Sequence, residues 1–451
     1  MSRFAFPLGL AALAILVSVA PALAQSSASD AAIVSSSAME MSGMSMSEMS
    51  MAPSSALSSS VAPLSVPAPL SAPSLASSEM SPSSAPSSEA AASPSSAEAT
   101  PSGPPVNVYA YTGPTNMSPA VLDALPRIYV PNRVSGTVTV IDPTKMKVVG
   151  TFRVGFSPQH VVPSWDLKTL YVTNDGNNYP HRGSLTAIDP TTGRPIKTIK
   201  VDDPYNMYFT PDGSSAIVVA EAYDRLDFRD PHSFALQFSI AAPGCKGINH
   251  ADFSADGSYA IFTCEFGDAL AKIDLKAHAV AGYLTLSKAG GMPQDIRVSP
   301  DGKTFYVADM MSDGVFMVDG ASFVETGFIP TGIGTHGFVV SRDGTKLYVS
   351  NRGTHLMEGT RAGPGSISTI DFATNKVIAN WPIPKGGSPD MGNVSADGTQ
   401  LWYSGRFDNV AYMIDTTTGA VTSIRTGTEP HGLAVWPQPG RYSLGHTGNM
   451  R

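Results

Sequence analysis

A pattern that returns about every 45 residues organises the chain after Arg127, and periods of that length mean propellers or solenoids. Tyr129-Val130-Pro131-Asn132, Tyr171-Val172-Thr173-Asn174, Tyr306-Val307-Ala308-Asp309 and Tyr348-Val349-Ser350-Asn351 end equivalent strands. Asp-Gly pairs recur at 212–213, 256–257, 301–302, 343–344 and 397–398. Apolar strands close on Asp at Asp142, Asp189, Asp274, Asp319, Asp371 and Asp415. Short β-branched runs punctuated by Asp-Gly read as strands and hairpins.

Alignment on the residue that opens each innermost strand gives His160, Asn206, His250, Asp295, His336, Asp390 and His431, separated by 46, 44, 45, 41, 54 and 41 residues. Seven openings imply seven four-stranded blades. The pattern begins at Arg127 with an outer strand and ends on an inner one, His431–Trp436. That last segment is therefore expected to complete the first blade and close the ring without a free edge.

These residues resemble the YVTN-repeat family of bacterial and archaeal β-propellers, over about Arg127 to Gln438. The resemblance implies an all-β, seven-bladed propeller. It does not select a function, because the family hosts binding, surface-layer and enzymatic relatives. Similar propellers occur in nitrous oxide reductase, with copper-binding histidines at the channel end, and in dissimilatory nitrite reductase, which seats a haem there. This chain has neither the cupredoxin domain of the first nor the c-haem domain of the second. It also lacks a Cys-x-x-Cys-His run. No c-type haem or nucleotide cofactor is expected.

In a propeller, the loop into the inner strand and the loop out of the second strand share one face. The seven openings, four His, two Asp and one Asn, should therefore crowd the channel mouth. Asn132, Asn174, Glu221, Glu265, Asp309, Asn351 and Gly405 should surround them. Converging imidazoles and carboxylates suit copper or another divalent transition metal, or a small polar ligand. Met207, Met292, Met310, Met311, Met357 and Met391 fall near the same face, as do His181 and His355. His232 and His278 fall in turns on the opposite face, and His446 belongs to the C-terminal tail. If the protein is an enzyme, a lactonase-like hydrolase is expected, with Glu221, Glu265 or Asp309 as general base beside a metal-bound water. A third reading is a scaffold for an envelope protein, since fold alone does not choose.

The two cysteines, Cys245 and Cys264, flank the Asp256-Gly257 turn and are expected to pair as a disulfide in an oxidising compartment. Residues 1–24 read as a secretory signal: Arg3, the apolar run Leu8–Val19, then Ala22-Leu23-Ala24. Periplasmic or secreted protein is expected, with no transmembrane anchor after cleavage. Residues 25–105 are Ser, Ala and Pro with scattered Glu and Met, a composition expected to remain disordered. Within them Met39, Met41, Met44, Met46, Met49 and Met51 are soft thioethers suited to Cu(I) or Ag(I). Residues 106–126 are a lead-in, 127–438 the propeller and 439–451 a tail. The formal charge, 29 − 37 = −8, belongs mostly to the segment before Arg127, which has no Lys or Arg after Arg3. With no basic cluster in the propeller, no nucleic-acid partner is expected.

Overall fold

The structure is a computed structural model that describes residues 106–451 apart from 178 and 359–362. The signal-like residues 1–24, the Ser/Ala/Pro segment and the Met cluster lie outside the described residues. Seven four-stranded antiparallel sheets form the ring. Blade 1 comprises β4 (Pro158–Pro163), β5 (Leu170–Asn174), β6 (Ser184–Asp189) and β7 (Arg194–Lys200). Blades 2 to 6 repeat that plan from inner strands β8 (Pro204–Phe209), β12 (Ile248–Phe253), β16 (Pro293–Val298), β20 (Thr335–Val340) and β24 (Pro389–Val394). Blade 7 joins the two ends of the propeller. Its inner strand β28 (Ala434–Trp436) pairs with β1 (Arg127–Asn132), in register Ile128 to Val435, and β2 (Thr137–Asp142) and β3 (Lys147–Arg153) complete it.

Burial explains the layering. The inner strand of blade 1 is buried along its whole length, and the outer β7 is largely exposed. Apolar side chains of neighbouring blades interdigitate: Ile261 and Leu270 of blade 3 pack with Ile296, Phe305 and Phe316 of blade 4.

The Asp-Gly pairs form tight turns on one face, called lower here. Thr210 Oγ1 donates to Asp212 Oδ1 at 2.7 Å, which also accepts Ser214 N–H at 3.0 Å. Ser254 repeats the contact with Asp256. The following Gly213 has φ +71°, a conformation open to glycine at no steric cost. Blade 1 departs from the rule with Leu167 at φ +66°, its side chain buried between blades.

The tail does not trail away. Residues 440–451 fold into the lower end of the channel. Phe209 N–H donates to Leu444 O (3.0 Å), His446 N–H to Met207 O (2.9 Å), and Asn393 Nδ2 to Thr447 O (2.7 Å). Arg451 Nη2 and Asn449 Nδ2 bind Asp252 Oδ1 at 2.6 and 2.9 Å. The lead-in crosses beneath them, with the Arg441 guanidinium 3.9 Å over the Tyr111 ring.

Candidate functional site

The local cause of the ring is a bulge. The pairing of inner and second strands slips between Pro158 and Val161, Ile248 and Ala251, Pro293 and Ile296, Thr335 and Phe338, and Pro389 and Gly392. A bulge re-aims a side chain, and His160, His250, Asp295, His336 and Asp390 all sit in these slips. In blades 1 and 3 a hydroxyl of the second strand fills the gap: Thr173 Oγ1 accepts His160 N–H, and Thr263 Oγ1 accepts His250 N–H, each at 3.0 Å. The repeated Tyr-Val-Thr-Asn thus divides its labour. The apolar pair packs between blades and the Thr supports the bulge. The Asn stitches strands two and three, as when Asn174 Nδ2 donates to Ser184 O and Thr186 Oγ1.

All seven ring residues are buried. His160 lies centrally, its ring centroid 4.8 Å from His431, 5.3 Å from His250 and 5.1 Å from His446. Both His160 ring nitrogens are buried without a hydrogen-bond partner. Burial, with the neighbouring imidazoles, pushes its pKa well below the ordinary value, and burial lowers His250, His336 and His446 as well. His431 is pushed down to about 3. The cluster is uncharged at neutral pH, which leaves imidazole lone pairs available.

Two carboxylates orient the rings. Burial alone would raise Asp390, but Arg352, His336 and His431 hold it ionised, well below the usual range. His431 Nδ1 therefore donates to Asp390 Oδ2 (2.6 Å), and its Nε2 accepts Tyr205 O–H (3.2 Å). His336 Nδ1 lies 3.0 Å from the other Asp390 oxygen. Both rings turn Nε2 away from the carboxylate, the arrangement typical of metal-binding histidines.

Asp295 is occupied otherwise. Burial would raise it too, yet Arg297 and His446 keep it ionised. It accepts Arg297 Nη1 (2.7 Å), Ile296 N–H and Phe338 N–H. The donor atoms of His250, Asp295 and His446 lie within 4.8 Å of one another. Their tautomers argue against free lone pairs there. His446 Nδ1 accepts Thr447 N–H (2.6 Å), so Nε2 carries the proton and lies 3.3 Å from Asp295. Asn206 Oδ1 is committed to Met207 N–H, so its Nδ2 donates to His250 Nδ1, and the His250 proton also sits on Nε2. The trio packs closely without hydrogen-bonding to itself, since His250 Nε2 and His446 Nε2 are buried without a hydrogen-bond partner, and it sits beside the His160 ring.

On the blade 2 and 3 side, Asn249 Nδ2 donates to Glu221 Oε1 (3.0 Å) and to Glu265, while Gln294 Nε2 donates to Glu265 Oε1 (3.1 Å). Burial and then the Glu265 charge push the Glu221 carboxyl well up, so it holds its proton. Asp309 ends the second strand of blade 4; its Oδ1 accepts Met311 and Ser312 N–H in its own turn, its Oδ2 is buried without a partner, and burial raises its carboxyl.

Asn132 and Asn351 stitch strands as Asn174 does. Met207 packs between blades, Met310 and Met391 are buried, and Met311 is exposed. His181 is exposed, and His355 pairs with Asp313 at 2.7 Å. His278 stacks on Phe238 on the opposite face. Cys245 and Cys264 form the expected disulfide.

Sequence reasoning missed His446, which no repeat carries. It also missed Gln159, Tyr205, Asn249 and Gln294, one position before the ring, although the same alignment exposes them. Arg352 and Arg406 were missed too, each the first residue after the second strand of its blade.

A family model described as a YNCE-like beta-propeller matches residues 98–439. Among curated proteins none matches the sequence. Similar solved structures include a candidate 6-phosphogluconolactonase from Bacteroides uniformis, at 19% identity and TM-score 0.55, covering 68% of this chain and 98% of that one. Dihydro-haem d1 dehydrogenase NirN in complex with DHE is 14% identical with TM-score 0.51, over 75% and 83%. Kuenenia stuttgartiensis hydrazine synthase is 20% identical with TM-score 0.50, over 70% and 96%. At such identities the likeness is one of fold.

Proposed function

This chain belongs to the YNCE-like β-propeller family, and on that scaffold we propose an exported, non-catalytic protein that binds a transition-metal ion, copper in preference, at the axis. One observation carries the reading: His160 is fully buried with both ring nitrogens unpartnered, beside histidines whose Nε2 atoms are turned away from Asp390. Burying a polar group without a partner costs about 1–3 kcal/mol, and a bound ion removes that cost. His160, His336 and His431 are the ligands of this proposal, with Asp390 as the carboxylate that orients two of them. Neutral imidazole suits Cu, Zn, Fe and Ni. His250, Asp295 and Asn206 support the ring without binding the ion.

Export is supported by the signal-like residues 1–24 and by the buried Cys245–Cys264 disulfide, since disulfides persist in oxidising compartments. The Met39–Met51 cluster would collect soft metal ahead of the ring. The test is metal content after copper loading of the mature protein, compared with a His160→Gln/His336→Gln/His431→Gln variant. Equal copper in both sinks the assignment. Deleting residues 39–51 tests the collector separately.

One observation favours a second reading, a metal-assisted hydrolase. Glu221 holds a proton next to Glu265 and is a candidate general acid. The fold shared with a candidate 6-phosphogluconolactonase makes lactones the substrates to try. Turnover of a lactone panel that is lost with chelator and in Glu221→Gln would replace the binding reading.

A further inference from the structure

Two arginines on the upper side of the ring are left over by the metal reading. Arg352 follows β21 (Lys346–Asn351) and Arg406 follows β25 (Gln400–Gly405), the same register position in adjacent blades. Arg352 is 0% exposed and Arg406 7%. Both guanidinium groups remain charged in proteins. They share one carboxylate: Arg352 Nε lies 3.4 Å from Asp390 Oδ1 and Arg406 Nη1 3.9 Å from Oδ2. That carboxylate already accepts His431 Nδ1–H, and His336 Nδ1 lies 3.0 Å from its other oxygen without a hydrogen bond.

The donors are not satisfied. Arg352 Nε and Nη2, and Arg406 Nε, are buried without a hydrogen-bond partner. Arg352 Nη1 reaches only the Met310 thioether, a weak acceptor, at 3.3 Å. Arg406 Nη2 is 4.0 Å from Glu429, which Arg133 binds at 2.8 Å. Glu265, also near Arg352, is held by Asn249 and Gln294. Arg406 Nη1 also lies 3.5 Å from His431 Nδ1. The two buried cations, with Asp390 shared between them and Glu429 shared with Arg133, still leave N–H groups without a partner, an arrangement that is costly unless a further partner arrives. The guanidinium of Arg352 lies over the Phe407 ring at 5.0 Å, and its buried, unpartnered Nε/Nη2 edge has the planar fork that carboxylates and phosphates match with two parallel hydrogen bonds.

We infer that Arg352 and Arg406 form a binding site for a small oxyanion, a carboxylate or an inorganic phosphate, above the histidine cluster. The site takes its anion in metal-free protein and so does not depend on the metal reading. The anion lies over the face of the ring that His336 and His431 share with Asp390.

The experiment uses mature protein stripped with chelator and measures the thermal-unfolding midpoint against sodium formate, sodium phosphate and, at matched ionic strength, sodium chloride. A saturable rise on the order of 5 °C at hundredfold excess over Kd is expected with formate or phosphate and not with chloride. Formate alone would identify a carboxylate site, phosphate alone an inorganic one. Arg406→Gln, at the more exposed position, should abolish the rise, and Arg406→Lys should weaken it. No saturable rise in the unsubstituted protein, or the same rise in Arg406→Gln, overturns the proposal. Copper content of the same preparations separates the two readings: copper uptake without anion response refutes only this site, and the converse only the metal site.

Discussion

His446 stacks on His250 with ring centroids 4.8 Å apart and planes 23° from parallel, tying the C-terminal segment to the inner strand of blade 3. Its Nε2 faces Asp295, and its backbone N–H is held by Met207 O. The segment is thus part of the axial core. Changing His446 to Ala removes a ring from a buried stack and a partner from a buried carboxylate. We expect a loss of about 3 kcal/mol in unfolding free energy, measured by urea titration. A change within about 0.5 kcal/mol, the usual size for a surface substitution, would show that the segment is not structurally engaged.

Much of this site was legible because the repeat fixes a register. Each ring residue lies within three residues of the start of an inner strand, so aligning strands also aligned His160, His250, Asp295, His336 and Asp390. The disulfide followed from two cysteines placed about one hairpin turn. The alignment could not assign tautomers or partners, which depend on contacts between blades and on Met207, Thr447 and Phe338 backbone groups. His446 was out of reach, since nothing in residues 439–451 repeats. The Asn of each Tyr-Val-Thr-Asn also misled, since its amide is spent on the third strand and not on the mouth.

Acid acts on this core through His431. Burial pushes His431 down to about 3, against about 6.5 when unfolded. Between those values the unfolded chain binds more protons, so this contribution is complete above pH 6.5 and is lost as pH falls toward 3. One such histidine costs about 2 kcal/mol by pH 5. Four further histidines shift the same way. Asp203, raised to about 7 by burial, acts oppositely, as do Glu221, Asp175 and Asp309, which burial also raises: their stabilisation is present below their unfolded values and is lost as pH rises. With four acids opposing five histidines, the His431 part is read by comparison with a variant that lacks it. In His431→Gln, whose amide can still donate to Asp390, stability should fall by less, or rise by more, from pH 7 to 5. Equal slopes in urea titrations at pH 7, 6 and 5 would refute a neutral buried His431.

Gly432 presses on the centre of the cluster. Its N–H donates to Gln159 O (2.8 Å), and a Cβ there would sit 2.0 Å from His160 Nδ1. Gly432→Ala should therefore displace His160 at a cost of about 2 kcal/mol and reduce copper retention. The double variant Gly432→Ala/His160→Ala should recover part of the stability, because the obstructing ring is gone. Additive losses in a double-mutant cycle would mean that the two sites do not meet as the geometry requires.

Tyr205 decides which lone pair is ready. Its hydroxyl donates to His431 Nε2 at 3.2 Å, so a metal at that nitrogen must first displace the hydrogen bond. Removing the hydroxyl removes this competition. The bond is worth about 0.5–1.5 kcal/mol net, so Tyr205→Phe should bind copper about two- to tenfold more tightly. Competition titration against a chromogenic chelator at pH 7.5 reads the change directly. Weaker binding in Tyr205→Phe would make the phenol a ligand itself and displace His431 from the set. Unchanged affinity would place the ion away from His431 Nε2 altogether.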